Sequence, residues 1–196
     1  RVAELRKELG IEGGAPVIGF VGRLTKDKGI DVLVEAMRLL VERGVGHRLL
    51  VIGSVDDAHS GELLASLRGS RNPPLETGHV TEPAPYYRLM DVLCLPTLRE
   101  GFPNVVLEAA AAGVPTVTTD ATGARDSVID GVTGLISRTG DPTSLADRLA
   151  ELLTATPAER RKMGARARAW AQAKFARPLV WTNLEEHLRA PGRTFR

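Results

Sequence analysis

The stretch Arg99-Glu100-Gly101-Phe102-Pro103-Asn104-Val105-Val106-Leu107-Glu108-Ala109-Ala110-Ala111-Ala112-Gly113-Val114-Pro115-Thr116-Val117-Thr118-Thr119 reads as loop, helix and strand in succession. Asn104 suits an N-cap, Val105 to Ala112 holds no helix breaker, and Gly113 is a C-terminal stop. Val114 to Thr119 is β-branched enough for a buried strand. A helix N-terminus presents unpaired N–H groups and partial positive charge, so Gly101 through Val105 form a seat for an anion or a row of hydroxyls. Glu108 falls one turn inside the helix, and its side chain leans back toward the same N-terminus. Glu100 and Glu108 can therefore face one ligand carrying both hydroxyls and phosphate.

Outward from this stretch, strands alternate with helices. Residues 1 to 9 suit a charged helix, Gly10 to Pro16 a turn-rich approach, and Val17 to Val21 a short apolar strand. A basic loop, Gly22 to Gly29, leads into a helix whose Ile30, Leu33, Val34, Met37, Leu40 and Val41 share a face, and Gly44 ends it. Arg48 to Ile52 reads as the next strand, followed by an acidic loop and a weaker helix near Glu62 to Leu67. Leu75 to Val80, Ala84 to Asp91 and Val92 to Thr97 read as strand, helix and buried strand. Beyond Asp120, Gly123 to Ile129 suits a helical turn, and Asp130 to Ile136 a turn into a last strand. Asp141-Pro142 caps one helix and the box Thr156-Pro157-Ala158-Glu159 caps another; a third helical stretch lies near Val180 to Leu188. The expected fold is α/β, a Rossmann-like parallel sheet flanked by helices on both faces. Ligands bind such sheets at the carboxyl ends of the strands.

The 196 residues fit one domain, residues 1–196, and at 43% hydrophobic they can bury a substantial core. With 26 basic and 24 acidic residues the net charge of +2 gives no argument for nucleic acid as a partner. No run approaches the ~18 apolar residues of a membrane span, and no secretory signal opens the chain, so a soluble chain is expected. A start at Arg1 rather than Met suggests part of a longer polypeptide. Cys94, inside the apolar run Val92 to Leu95, reads as a buried thiol in a reducing compartment.

The basic loop places Arg23, Lys26 and Lys28 where a doubly wound sheet receives phosphate. Cations near a helix start oppose its macrodipole, so a bound anion, a diphosphate, explains Arg23 and Lys28 better than chance surface charge. Neither the dinucleotide fingerprint nor the P-loop is present, since Thr25 stands where the third glycine is needed. Glu100 and Glu108 have no metal-ligand spacing; each could instead satisfy loop N–H groups. Gly101, which lets backbone approach a ligand, favours a binding role. Asp56, Asp57 and His59 fit an acidic helix start better than a metal site. His47 and His187 read as surface residues, Phe175 and Trp181 as packing residues. The run Arg160, Arg161, Lys162, Arg166 and Arg168 reads as a solvated face opposite Met163 and Trp170.

Four ordered blocks resemble the donor-binding C-terminal domain of family 4 glycosyltransferases, one half of the two-domain GT-B fold. Phe20-Val21-Gly22-Arg23-Leu24 with Lys28-Gly29 resembles the family's first-strand motif, and Arg99 to Asn104 through Glu108-Ala109 resembles its E-x7-E motif. Asp130 to Leu135 and Glu159 to Gly164 resemble later segments. The resemblance covers most of the chain, with C-terminal helices over about residues 157–190.

The resemblance implies a nucleoside diphosphate-sugar held between this domain and an N-terminal one that supplies the acceptor site. Arg23 and Lys28, following Gly22, would contact the diphosphate and offset charge as the sugar–phosphate bond breaks. Glu100, with the backbone of Gly101 and Phe102, would orient the sugar, making Arg23, Lys28 and Glu100 the catalytic set. Glu108 would accept hydrogen bonds from the ribose. Asn104 and Val105 N–H groups, after Pro103, would reach the phosphates, and Gly78-His79-Val80 would border the base. The family implies retention of anomeric configuration, no required metal or other cofactor, and a cytoplasmic location with peripheral membrane contact by the full-length enzyme. Where many members carry Gly-x-Pro-Glu, this chain has Gly123-Ala124-Arg125-Asp126, a pattern associated with bacterial polysaccharide or glycolipid synthesis. A nucleotide-sugar 2-epimerase and a non-catalytic nucleotide sensor are the alternative readings on the same scaffold.

Overall fold

A computed structural model describes residues 1–11 and 14–176. In chain order the elements are α1 (Val2–Glu8), β1 (Val17–Val21), α2 (Ile30–Glu42), β2 (Arg48–Ile52), α3 (Ala58–Arg68), β3 (Leu75–Gly78), α4 (Ala84–Tyr87), β4 (Val92–Leu95), α5 (Asn104–Ala112), β5 (Thr116–Thr119), β6 (Gly134–Ser137), α6 (Pro142–Thr154) and α7 (Pro157–Phe175). Single turns of 3-10 helix span Lys26–Lys28 and Arg125–Ser127. The six strands form one parallel sheet in the order β3-β2-β1-β4-β5-β6. This is the expected Rossmann-like α/β architecture. The strand order reverses between β1 and β4, so the loops after those two strands flank the crevice where such sheets take ligands.

Strand alternation assigns the two faces. Ile18, Phe20, Leu49, Val51, Val92, Cys94 and Val117 point to one side, where α2, α3 and α6 cover them. Val17, Leu50, Ile52, Leu93 and Leu95 point to the other, under α1, α4 and α5. Side chains at successive positions of a strand leave opposite faces, so strands buried on both sides read as continuous apolar runs. Helix α7 lies outside α5, with Ala167 and Ala171 against Ala110. Cys94 is fully buried, and burial pushes its thiol pKa up, which removes it from nucleophilic chemistry.

Several helix ends follow the sequence. The Asp141 carboxylate accepts from Ser144 N–H at 2.9 Å, and Thr156 with Glu159 closes the expected capping box. Asn104 departs from expectation: Pro103 is the cap residue and Asn104 is the first helical residue, with no side-chain cap. Pro103 already sits in an extended conformation that turns into the helix, and its carbonyl accepts from Val106 N–H at 3.1 Å.

Two basic or titratable residues also depart. Arg160 is buried: its guanidinium donates to the carbonyls of Leu152, Leu153 and Ala155 and lies 3.4 Å from Asp91. It thus satisfies the orphan carbonyls at the end of α6. His47 is buried too, its Nδ1 2.8 Å from the Val45 carbonyl, and desolvation holds its pKa below the usual histidine value. The stretch near Val180 to Leu188, together with Trp181 and His187, lies outside the described residues.

Candidate functional site

The carboxyl ends of the strands carry the candidate residues. Each strand there must turn, and close backbone approach sets how. Gly53, at the end of β2, adopts φ +148°, and a Cβ on it would overlap the Gly22 carbonyl after β1. Side chains are therefore kept away from the junction between these loops. Gly22 N–H donates to Ile52 O and Leu24 N–H to Ser54 O, and a bridge joins Leu24 to Val55. A cleft of about 220 Å³ opens above the junction, lined by Gly22, Arg23, Gly53, Ser54, His79 and Val80 among others. Gly22, Arg23, His79 and Val80 thus meet at one place. Gly78 ends β3 beside it, its carbonyl accepting from Gly53 N–H.

Arg23 is 65% exposed and its Nη1 lies 3.3 Å from Asp56, whose other oxygen accepts from Ser54 Oγ. An exposed pair of this kind is weak, so Arg23 can leave it for a ligand phosphate. Asp57, beside it, is occupied as the N-cap of α3, accepting from Ser60 N–H at 2.7 Å. Its pKa lies below the usual carboxylate range because of that bond and the Ser60 hydroxyl.

Lys28 is held differently. The 3-10 turn Lys26–Lys28 is tied to the loop after β4: Thr97 Oγ1 and Leu98 N–H both donate to Asp27 O. Those contacts bring Lys28 Nζ to 2.5 Å from Glu100 Oε1, with the two side chains 22% and 13% exposed. Two candidates separated by 72 positions in sequence are thus one ion pair. Lys26 is exposed and takes no part in it.

The Glu100 backbone is also fixed from behind. Glu100 N–H donates to Thr122 O at 3.1 Å. Gly123, at φ +76°, approaches so closely that a Cβ would overlap the carbonyl oxygens of Glu100 and Gly101. Thr122 and Gly123 therefore form the floor of the Glu100 loop. Gly101 and Phe102 are exposed, and the Phe102 ring rests on Phe175 with centroids 5.1 Å apart. Phe175 in turn packs edge-on against Trp170. The end of α7 thus supports the loop that precedes α5.

Pro103 is buried and starts α5, whose first N–H groups, on Asn104 and Val105, precede the Val106 N–H that finds Pro103 O. They have the position and polarity to receive an anion. Glu108, one turn further, is exposed, and the Tyr87 hydroxyl donates to its Oε2 at 2.7 Å. Sequence reasoning missed Tyr87, which lies 21 positions away on α4 and reads as one of two adjacent tyrosines in a short helix. It also missed Asp56 and Gly123 as supports. Among the described residues no group of three metal-ligating side chains is assembled, and no helix is long and apolar enough to cross a membrane.

A Rossmann-like α/β domain with cations after β1, carboxylates after β4 and a helix N-terminus between them is one half of a GT-B glycosyltransferase fold. The chain belongs to the family of glycosyl transferases group 1, whose model matches residues 2–170. It is 39% identical over 170 residues to a capsular polysaccharide biosynthesis glycosyltransferase, CapM, of Staphylococcus aureus, covering 86% of this chain and 44% of that protein. The structure resembles sucrose-phosphate synthase of Thermosynechococcus elongatus at TM-score 0.82 and 28% identity, over 95% of this chain and 48% of that one. It also shares the fold of Anabaena HepE, solved with UDP and glucose, at TM-score 0.83 and 22% identity, over 95% of this chain and 51% of that one. The chain spans about half the length of each of these three proteins.

Proposed function

We propose that this chain is the nucleotide-sugar-binding half of a retaining glycosyltransferase, which moves a sugar from a nucleoside diphosphate to a glycan or lipid-linked acceptor. What supports this is that Arg23, the Lys28–Glu100 pair and the start of α5 lie on the loops after β1 and β4, the two strands between which the strand order reverses. The family and the likeness to CapM support transfer toward a polysaccharide. The UDP and glucose found with HepE support a nucleotide-sugar donor.

In this reading the diphosphate takes the N–H groups of Asn104 and Val105, with Arg23 and Lys28 at its oxygens. Glu100, released in part from Lys28 by the incoming anion, accepts hydrogen bonds from the sugar. When the bond from the anomeric carbon to the β-phosphate oxygen breaks, negative charge grows on the leaving diphosphate. In this reading Arg23, Lys28 and the helix N-terminus receive it, and loss of one such donor typically costs about 10²–10³ in rate. Neither Glu100 nor Glu108 is assigned as general acid or base. The second domain supplies the acceptor site and the other wall of the cleft, in a cytoplasmic enzyme with peripheral membrane contact and no required metal.

Calorimetry on the 196-residue chain with uridine, guanosine and adenosine diphosphates tests this reading. One of them is expected to bind, and Arg23→Ala and Lys28→Ala are each expected to weaken it while circular dichroism stays unchanged. Unchanged affinity in both variants would remove the site assignment.

A further inference from the structure

Tyr87 is 1% exposed, its ring inside the core beneath α4 and α5, yet its hydroxyl reaches an exposed carboxylate. A phenylalanine would fill the same volume. The hydroxyl therefore adds one thing, a 2.7 Å hydrogen bond to Glu108 Oε2. Among the described residues the Glu108 carboxylate has no other hydrogen bond and no ion pair, so Oε1 is left open. Beside the pair lies a cleft of about 460 Å³, bordered by Pro83, Arg88, Ala111 and Ala112 as well as Tyr87 and Glu108. Its space is sufficient for a sugar ring, and it adjoins the first cleft at Pro83, which lines both.

An exposed glutamate on a helix samples several rotamers, and fixing it on binding can cost up to roughly tenfold in affinity. A buried donor that fixes it beforehand removes that loss. A neutral donor does so without cancelling the carboxylate's charge, which a lysine partner would. Burial and the bond to Glu108 both push the Tyr87 pKa up, so the phenol remains a donor across the physiological range.

We infer that Tyr87 is a positioning residue for ribose recognition: its hydroxyl locks one oxygen of Glu108 so that the other accepts from the ribose hydroxyls of the nucleotide. The inference rests on the proposed function, in which Glu108 faces the ribose. Its test is ribose discrimination, which a purely structural tyrosine would not affect. Uridine, guanosine and adenosine diphosphates are each titrated against their dideoxyribose counterparts, using wild-type chain, Tyr87→Phe, Glu108→Gln and the double variant.

Wild type is expected to prefer the ribonucleotide, and Tyr87→Phe is expected to lose roughly three- to tenfold in that preference with dideoxy affinity unchanged. The double variant is expected to be no worse than Glu108→Gln. If Glu108→Gln loses the preference and Tyr87→Phe keeps it, the positioning role is overturned while the ribose assignment stands. If Glu108→Gln also keeps it, or no ribonucleotide binds wild type, the ribose assignment fails and the positioning role with it. Thermal melting of Tyr87→Phe verifies folding. If that variant is unfolded, Tyr87→Trp retains a buried N–H donor and the ring, and it must retain more ribose preference than Tyr87→Leu for the inference to survive.

Discussion

The two carboxylates that bracket the start of α5 are held in opposite ways. Glu100 is paired with a cation, Lys28, and both side chains are largely covered. Its backbone is clamped by Thr122 and by the close approach of Gly123. Glu108 is exposed, and its partner is the neutral hydroxyl of Tyr87. One acid has a cationic partner and a clamped main chain; the other has a neutral partner that holds its side chain. The difference fits two ligand parts. A diphosphate-sugar brings charge that must be received and balanced, so cation and anion sit together. A ribose brings neutral hydroxyls, which a full carboxylate charge attracts without a counterion.

The comparison breaks most severely at Gly123. Gly123→Ala adds a Cβ onto the Glu100 and Gly101 carbonyls at a positive φ, so it is expected to cost about 2–5 kcal/mol of stability, read by denaturant unfolding. Sugar-donor binding should be lost in whatever fraction still folds. A variant with full stability and full donor affinity would show that the clamp on Glu100 is unimportant.

Next in size is Lys28→Ala. It removes a phosphate contact and leaves Glu100 beside the incoming diphosphate without its counterion. Nucleoside diphosphate affinity is expected to fall roughly tenfold to a hundredfold, measured by calorimetry. Glu100→Gln sharpens the contrast because its sign differs. Lys28 is then free of its counterion, so bare diphosphate should bind as well as before or slightly more tightly, while the increment contributed by the sugar disappears.

Smaller effects are expected further out. Phe175→Ala removes the ring under Phe102, so the loop carrying Glu100 should loosen and donor-sugar affinity fall a few-fold, with dideoxynucleotide binding unchanged. His47 lies at the amino ends of the strands, away from both acids, and is the control. Burial depresses its folded pKa below the ordinary 6.5, so its contribution is present above pH 6.5 and is lost progressively as pH falls from there through the lower folded value. His47→Gln should flatten the pH dependence of stability below 6.5 and leave nucleotide affinity untouched.

The sheet was legible because parallel strands buried on both faces leave continuous apolar runs. Val17–Val21 and Arg48–Ile52 have the bounds read from the residues. Polar β5 was legible from its β-branched composition, although it begins at Thr116 rather than Val114; its Thr118 and Thr119 hydroxyls find the carbonyls of Leu95 and Thr97. Arg23, Lys28, Glu100 and Glu108 were legible as charges next to expected helix starts.

What was not legible is what topology adds. Gly123 and Glu100 meet only once β4 and β5 are neighbours, and Tyr87 and Glu108 only once α4 and α5 pack together; no periodicity encodes either contact. Arg160 sits in a basic run that looks solvated by composition, yet α6 ends beside it and its carbonyls need donors. His47 was misplaced for a similar reason: its neighbours in sequence are polar and small, and its burial comes from the helices packed around the amino end of β2.

The most direct test of the division between the two acids is calorimetry of a nucleoside diphosphate and its glucose conjugate, taken for whichever of uridine, guanosine and adenosine binds. The titrations compare wild type, Glu100→Gln and Glu108→Gln. The expected result is that Glu108→Gln weakens both ligands by the same factor, whereas Glu100→Gln spares the diphosphate and weakens only the sugar-bearing form. Equal losses on bare diphosphate in the two variants would contradict the division and make the carboxylates a single, undifferentiated site.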